Sequence, residues 1–338
     1  MGVDLFMIQK SLNILRELQT EQGLFMASKA SVKTGYNRAW IRDNVYESLG
    51  LEATKNYKEL VKVYRALLDI ILKHEYKIDW AIREKPIHAY QYIHARYDTL
   101  TGNEIWEPWG NKQNDAVGAL LFKIGDLESK GIKVIRNKDD LRIIKKVVNY
   151  LESVEYWRDK DNGMWEENEE VHASSIGACV AGLKSISKII DVDKELITKG
   201  ELALKTILPK ESESKHADLA LLSLIYPYNI VSKEMALKIL RNVELHLIRE
   251  KGIIRYKNDQ YYNKGLGEAE WVMGFPWLAI IYRNMNKPDK YAYYLRKTLQ
   301  CMNEDGELPE LYYANSNIHN ENSPLGWAQA LFLVAMAS

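Results

Sequence analysis

Apolar residues recur three and four positions apart in segment after segment of this chain, the spacing that puts them on one face of an α-helix. The pattern predicts twelve helices, over roughly 3–20, 41–53, 55–75, 113–129, 138–156, 172–189, 193–207, 215–225, 232–248, 268–286, 288–302 and 324–337, with only short β-like patches such as Gly252 to Tyr256. The helices alternate in character. Odd-numbered ones, such as YKELVKVYRALLDIILKHEYK and LRIIKKVVNYLESV, carry charge along one side, as a helix with one face in water does. Even-numbered ones, such as HASSIGACVAGL, HADLALLSLIYP and PLGWAQALFLVAMA, are small or apolar nearly all round and belong inside. Six inner helices alternating with six outer ones predict an all-α fold, an (α/α)6 barrel of helical hairpins. No linker rich in Pro, Gly or Ser divides the chain, so 1–338 reads as a single domain.

The stretches ahead of the inner helices are long and hold Trp, Tyr, Gly, Arg, Asp and Glu: 21–40, 76–112, 157–171, 249–267 and 303–323. Long loops in a compact domain are functional or disordered, and these are too aromatic for disorder. Because all of them precede inner helices, they are expected at one end of the barrel, lining one pocket.

Composition narrows the occupant of that pocket. Hydrophobic residues make up 46% of 338, ample for a large core. Lys plus Arg and Asp plus Glu are both 46, so no basic field exists to hold nucleic acid or an anionic membrane, and a neutral sugar fits better. Of the two cysteines, Cys179 and Cys301, the first sits in the apolar run IGACVAGL and reads as a buried free thiol, which points to a reducing compartment. The opening MGVDLFMIQKSLNILREL, with Asp4 early, turns amphipathic at once and lacks the parts of a signal peptide, and no apolar run reaches the length of a membrane span. A cytoplasmic protein is expected. The absence of HExxH, paired CxxC, a His cluster, a phosphate loop or GxSxG leaves no metal or other cofactor expected.

The stretch Asp161 to Glu170, DNGMWEENEE, places Glu166 and Glu167 directly after Trp165. A carboxyl beside an indole and shielded from water has its pKa raised and can hold a proton for a leaving group near neutral pH; the alternative is an acidic surface loop. The segments YNRAWIRDN (36–44), WGNKQND (109–115), RYKNDQYYN (255–263) and GELPELYY (306–313) add carboxylates, guanidiniums and rings. Arg and Asp bind sugar hydroxyls through charge-assisted hydrogen bonds, and aromatic faces stack on pyranoses. Each has a plainer reading beside it. Arg42 and Asp43 suit an ion pair opening a helix, Trp109 and Trp327 suit core aromatics, and Glu310 suits a first-turn acid. His216 and Asp218 suit local caps or buried polar contacts, and His172 with Ser174 and Ser175 suits packing more than a catalytic triad.

With five motifs in order, each ahead of an even-numbered helix, the chain resembles glycoside hydrolase family 15, the glucoamylase family, across nearly its whole length. The resemblance implies an inverting mechanism on an (α/α)6 barrel. It makes Glu166, the first Glu of W-E-E, the general acid and Glu167 a substrate-binding residue. Glu310 in LPEL becomes the general base, although Leu311 stands where the family usually has Gln. Trp40, Arg42 and Asp43 match W-x-R-D, with Arg42 and Asp43 holding the terminal glucose. Tyr36 matches the tyrosine near the developing oxocarbenium ion, Trp109 the stacking Trp, Arg255 and Tyr261 a binding pair, and Trp327 the Trp of the final inner helix. The implied activity is exo-acting release of glucose from the non-reducing ends of short α-glucans. The two carboxyls would stand about 6.5 to 9.5 Å apart, against about 5 to 5.5 Å in a retaining enzyme, across a glucose-sized hollow. Helix one starting at residue 3 leaves no place for the β-sandwich of bacterial members, and no starch-binding module is expected after Ser338. HARYDTLTGNEI and HASSIGACVAGL also resemble the related domain of phosphorylase kinase regulatory subunits. A carbohydrate-sensing domain without turnover therefore stays open, as does an isomaltose, dextran or trehalose hydrolase on the same fold. An apolar patch near the first helix, covered by a partner chain, would make a homo-oligomer.

Overall fold

In the computed structural model, which describes residues 5–107 and 109–337, burial sorts the helices into the two expected classes. In chain order they are α1 (Leu5–Leu18), α2 (Ile41–Ala53), α3 (Tyr57–Lys73), α4 (Glu75–Arg83), α5 (Asn114–Ser129), α6 (Lys138–Ser153), α7 (Ala173–Ile186), α8 (Lys194–Ile207), α9 (Lys233–His246), α10 (Gly274–Asn284), α11 (Pro288–Gln300) and α12 (Gly326–Met336). Residues 3 and 4 of the first predicted helix lie outside the described residues. A single buried stripe marks the outer set; in α3 it is Leu60, Val63, Tyr64, Leu67, Leu68 and Ile71, the three-and-four spacing of one helix face. Helices α7, α10 and α12 are buried nearly all round.

The inner elements form a closed ring. Helix α2 touches α5, α5 touches α7, α7 touches the short 3₁₀ segment Leu219–Leu224, that segment touches α10, α10 touches α12, and α12 returns to α2. The seam is tied between distant parts of the chain, since Ser28 Oγ donates to the Pro324 carbonyl (2.8 Å) and Gly326 N donates to the Ala27 carbonyl (2.9 Å). The tightest contact in the ring is α5 against α7. A Cβ built on Gly118 would lie 2.4 Å from the Ala178 and Cys179 backbone, one on Gly125 2.5 Å from Ser185, and one on Gly182 2.5 Å from the Gly118 carbonyl. Backbone lies on backbone there, which explains why this pair is rich in small residues.

Two predicted elements differ, and one helix is additional. The eighth, 215–225, is not an α-helix but the 3₁₀ segment: the Asp218 carboxylate caps the Ala220 N–H (2.7 Å), and Pro227, without an N–H, cannot extend a helix beyond it. The tenth, 268–286, begins only at Gly274, because Glu270–Trp271 (β3) instead pairs with Leu311–Tyr312 (β4), Glu270 opposite Tyr312. A matching two-residue ladder joins Ala39–Trp40 (β1) to Arg96–Tyr97 (β2). Helix α4 was not expected, since 76–112 reads as loop. It buries only Lys77, Ile78 and Ala81, too little apolar periodicity to register.

Candidate active site

The inner helices all begin at one end of the ring, and the loops that feed them meet there. The loop from Asp161 to Glu170 is closed by a reciprocal backbone pair, Asp161 N to Glu170 O (2.9 Å) and Glu170 N to Asp161 O (3.0 Å). Within it Gly163 and Glu166 both adopt left-handed backbone, at φ 62° and 64°. A glutamate there costs on the order of 1 kcal/mol or more and persists only where its surroundings hold it. The WGN loop supplies that hold, because Gly110 lies so close that a Cβ on it would come within 2.8 Å of the Glu166 carbonyl.

Tyr36, Trp40, Arg42, Asp43, Trp165, Glu166, Arg255, Tyr261, Trp271 and Trp327 are among the residues lining one cavity at this end. Arg42 reaches across it, donating to Glu166 Oε1 (2.8 Å) while pairing at its base with Asp115 (3.1 Å) and Gln113 (2.9 Å). The ion pair expected between Arg42 and Asp43 is thus replaced by Arg42 pairs with Asp115 and Glu166. The Asp43 carboxyl makes no hydrogen bond to another described side chain and faces the cavity. With Arg42 spanning it, the cavity is about 70 Å³, room for a few waters and tighter than the glucose-sized hollow expected.

Glu310 is fully buried and reached from the cavity's lining through Tyr36 and Tyr261. Its Oε1 accepts from Tyr36 (2.6 Å) and Tyr261 (3.3 Å), and its Oε2 from Asn320 (2.5 Å) and Asn322 (2.8 Å). Burial raises the Glu310 pKa, and the bonds from Tyr36, Asn322 and Asn320 draw it back down by favouring the ionised form. For Glu166 burial also leads: it lifts the carboxyl to about 7 against the opposing pull of Arg42. Burial likewise lifts Asp43 to about 6, with Arg42 opposing. The two carboxyls are thereby held in different environments, Glu166 in the cavity with a single cationic donor, Glu310 enclosed by neutral donors, two of which line that cavity.

The remaining expected residues join the same constellation. Glu167 turns from the cavity to accept from Arg255 (2.8 Å), Tyr256 (2.6 Å) and Lys215 (2.7 Å). Arg255 is fixed by Asp259 (2.6 Å) and lies over the rings of Tyr261 (4.8 Å) and Trp271 (5.1 Å). Trp109 meets Trp40 edge-on at 6.0 Å, and Trp327 lies under the Arg42 guanidinium at 6.0 Å. The structure therefore brings all eleven expected site residues into one connected set. Residues not singled out beforehand complete it: Arg96 over Trp40 (5.3 Å) and Trp109 (4.5 Å), Asp115, Tyr256, Asp259, and the two asparagines on Glu310. Asp115, Tyr256 and Asp259 lay within the quoted motifs; Asn320 and Asn322, in the polar run NSNIHNENS, carried no signal.

The plainer readings hold elsewhere. Asp218 caps its 3₁₀ segment and also accepts from Trp165 Nε1 (2.8 Å), whereas His216 is exposed and neither caps a helix nor makes the buried polar contact that was the other expectation for it. Ser174 donates to Glu211 (2.5 Å), which lies 3.5 Å from His172. Although burial opposes it, Glu211 and Asp161 hold the His172 imidazole up to about 9. That is a buried ion cluster and not a nucleophile with its base.

Comparison with known proteins places these features in a family. The pattern described as glycosyl hydrolases family 15 matches residues 2–199. A probable phosphorylase b kinase regulatory subunit alpha of Caenorhabditis elegans is 24% identical, the alignment covering 98% of this chain and 32% of the relative; the chain spans about a third or less of the curated relatives it matches. Among solved structures, a glycosidase superposes with a TM-score of 0.83 at 18% identity, covering 99% of this chain and 98% of the other. A bacterial glucoamylase complexed with acarbose superposes at 0.74 and 15% identity, covering 98% and 55%. These likenesses establish the barrel fold.

Proposed function

This chain belongs to glycosyl hydrolases family 15, and from that premise we propose that it removes glucose from the non-reducing ends of short α-glucans with inversion at the anomeric carbon. The observation that supports the reading is an unlike pair of carboxyls, Glu166 lining the cavity and Glu310 bonded by Tyr36 and Tyr261 of its wall. Glu166, raised to about 7, protonates the glycosidic oxygen; Glu310, raised by burial but with donors that favour its ionised form, takes a proton from water on the opposite ring face. Tyr261 makes the longest of the four bonds to Glu310, at 3.3 Å, and is the one a catalytic water would displace. Arg42, once released from Glu166, and the unbonded Asp43 carboxyl supply the charge-assisted contacts for the terminal sugar, and Trp40, Trp109 and Trp327 the rings, so the partner is a neutral oligosaccharide. Arg255 holds Glu167 in register.

The test is glucose release from maltotriose, isomaltose and trehalose, with the first-formed anomer read by NMR. Release as the β-anomer from an α-glucan supports the reading, and a retained anomer overturns the mechanism. The pH profile adds a check. A proton donor titrating near 7 must make kcat/KM fall as pH rises through about 7, and protonation of Glu310, whose pKa lies above the ordinary carboxylate range, must make it fall on the acid side. A rate that continues to climb from pH 7 to 9 would rule Glu166 out as the acid.

The second reading, a carbohydrate-sensing domain without turnover, is favoured by the regulatory-subunit relatives. Saturable binding of these sugars with no glucose released from any of them would select it.

A further inference from the structure

A second cavity, of about 770 Å³, lies at the end of the ring opposite the carboxyls, where the 3₁₀ segment and α10 finish and α9 and α11 begin. It is an order of magnitude roomier than the cavity around Glu166 and falls within the range of small-molecule sites, roughly 300 to 1,000 Å³. Six polar side chains line it: Tyr226, Asn229, Lys233, Asn284, Asn286 and Lys287. None of the six side chains hydrogen-bonds or pairs with another group among the described residues. No carboxylate lines the cavity, so its formal charge is positive throughout in a chain whose net charge is zero. Left-handed backbone explains the choice of Asn at 229 and 286, at φ 49° and 55°, but not Asn284, Tyr226 or the two lysines. Lys233 and Lys287 stand at the starts of α9 and α11, whose own first turns are already served by the Ser232 cap and Glu234 and by Pro288 and Asp289, so the two lysines and not the helix ends supply the positive charge. The rest of the wall is apolar, from Ile225 and Val231 across to Ile281 and Met285.

We propose that this cavity binds a small sugar phosphate or a closely similar organic phosphate. The phosphoryl group sits between Lys233 and Lys287, the asparagine amides and the Tyr226 hydroxyl take the ligand's hydroxyls, and the apolar wall takes its carbon skeleton. The site is separate from the carboxyl cavity and does not depend on whether the chain hydrolyses glucan.

The test is calorimetric titration of the full chain with glucose 6-phosphate, inorganic phosphate and glucose at low salt. Glucose 6-phosphate is expected to bind saturably at about millimolar Kd or tighter and more strongly than either fragment. The Lys233→Ala/Lys287→Ala double variant should weaken it at least about tenfold without altering thermal unfolding, since both side chains are exposed. Asn284→Asp, which sets a carboxylate in the cavity, should weaken it in the same direction. Absence of saturable glucose 6-phosphate binding up to about 10 mM, affinity matched by inorganic phosphate or by glucose binding that the double variant also weakens, or affinity kept in both variants would each overturn the proposal.

Discussion

Glu166→Gln is expected to lower kcat for glucose release by about 10²- to 10⁴-fold, the usual contribution of a positioned general acid, while thermal unfolding moves little. Glutamine keeps the shape, and its amide oxygen can still accept from Arg42, which now bonds Glu166 at 2.8 Å, so the Arg42–Asp115 pair has no reason to shift. What is lost is the proton. Glu310→Gln should lower kcat by a similar factor but also destabilise the protein. The Glu310 carboxylate accepts from four donors, and a glutamine amide nitrogen in that shell would face donors with another donor. A buried group left without a partner costs about 1 to 3 kcal/mol. Kinetics and melting curves of the two variants together therefore separate the roles: a loss of rate alone at 166, and a loss of rate with stability at 310. Full activity in either variant would remove that residue from the mechanism.

The largest effect on stability is expected at Gly118. A methyl group there would come within 2.4 Å of backbone atoms of α7, which cannot rotate aside as a side chain can, so α5 and α7 must separate. Overpacking costs about 1 to 3 kcal/mol when side chains can adjust, and Gly118→Ala should lie at or above the top of that range, lowering the melting temperature by several degrees. Gly131→Ala is the control. Gly131 has φ 81° but nothing within 4 Å of a built Cβ, so its variant reports the backbone penalty alone, about 1 kcal/mol. Equal melting temperatures for the two variants would show that the close helix contact is not under the strain inferred.

The inner and outer helices were legible because burial on one side and burial all round leave different imprints: the stripe of α3 and the unbroken apolar run of α12 need no tertiary knowledge. The eighth element was misread because HADLALLSLIYP satisfies helical spacing over too few residues, and the competing instructions, the Asp218 cap and Pro227, act locally. Short ladders such as β3 with β4 leave no periodic trace in two residues. The site's membership was legible from its motifs, yet its internal wiring was not. That Arg42 crosses to Glu166, that Glu167 faces Arg255 and Lys215, and that Asn320 and Asn322 enclose Glu310 depend on how loops far apart along the chain come to lie side by side.

The way the ring closes has a consequence for how the protein is made. Helix α12 packs against α2, and Gly326 bonds back to Ala27, so the helix made after the other eleven is the one that seals the first hairpin. Until then a nascent chain carries Glu166 opposite an unfinished wall, because Glu310 and its asparagines emerge late. The candidate site is thus incomplete until α12 has been made, and a chain cut before it, even one holding every residue from 2 to 199, would present half a site and an open apolar edge suited to capture by chaperones.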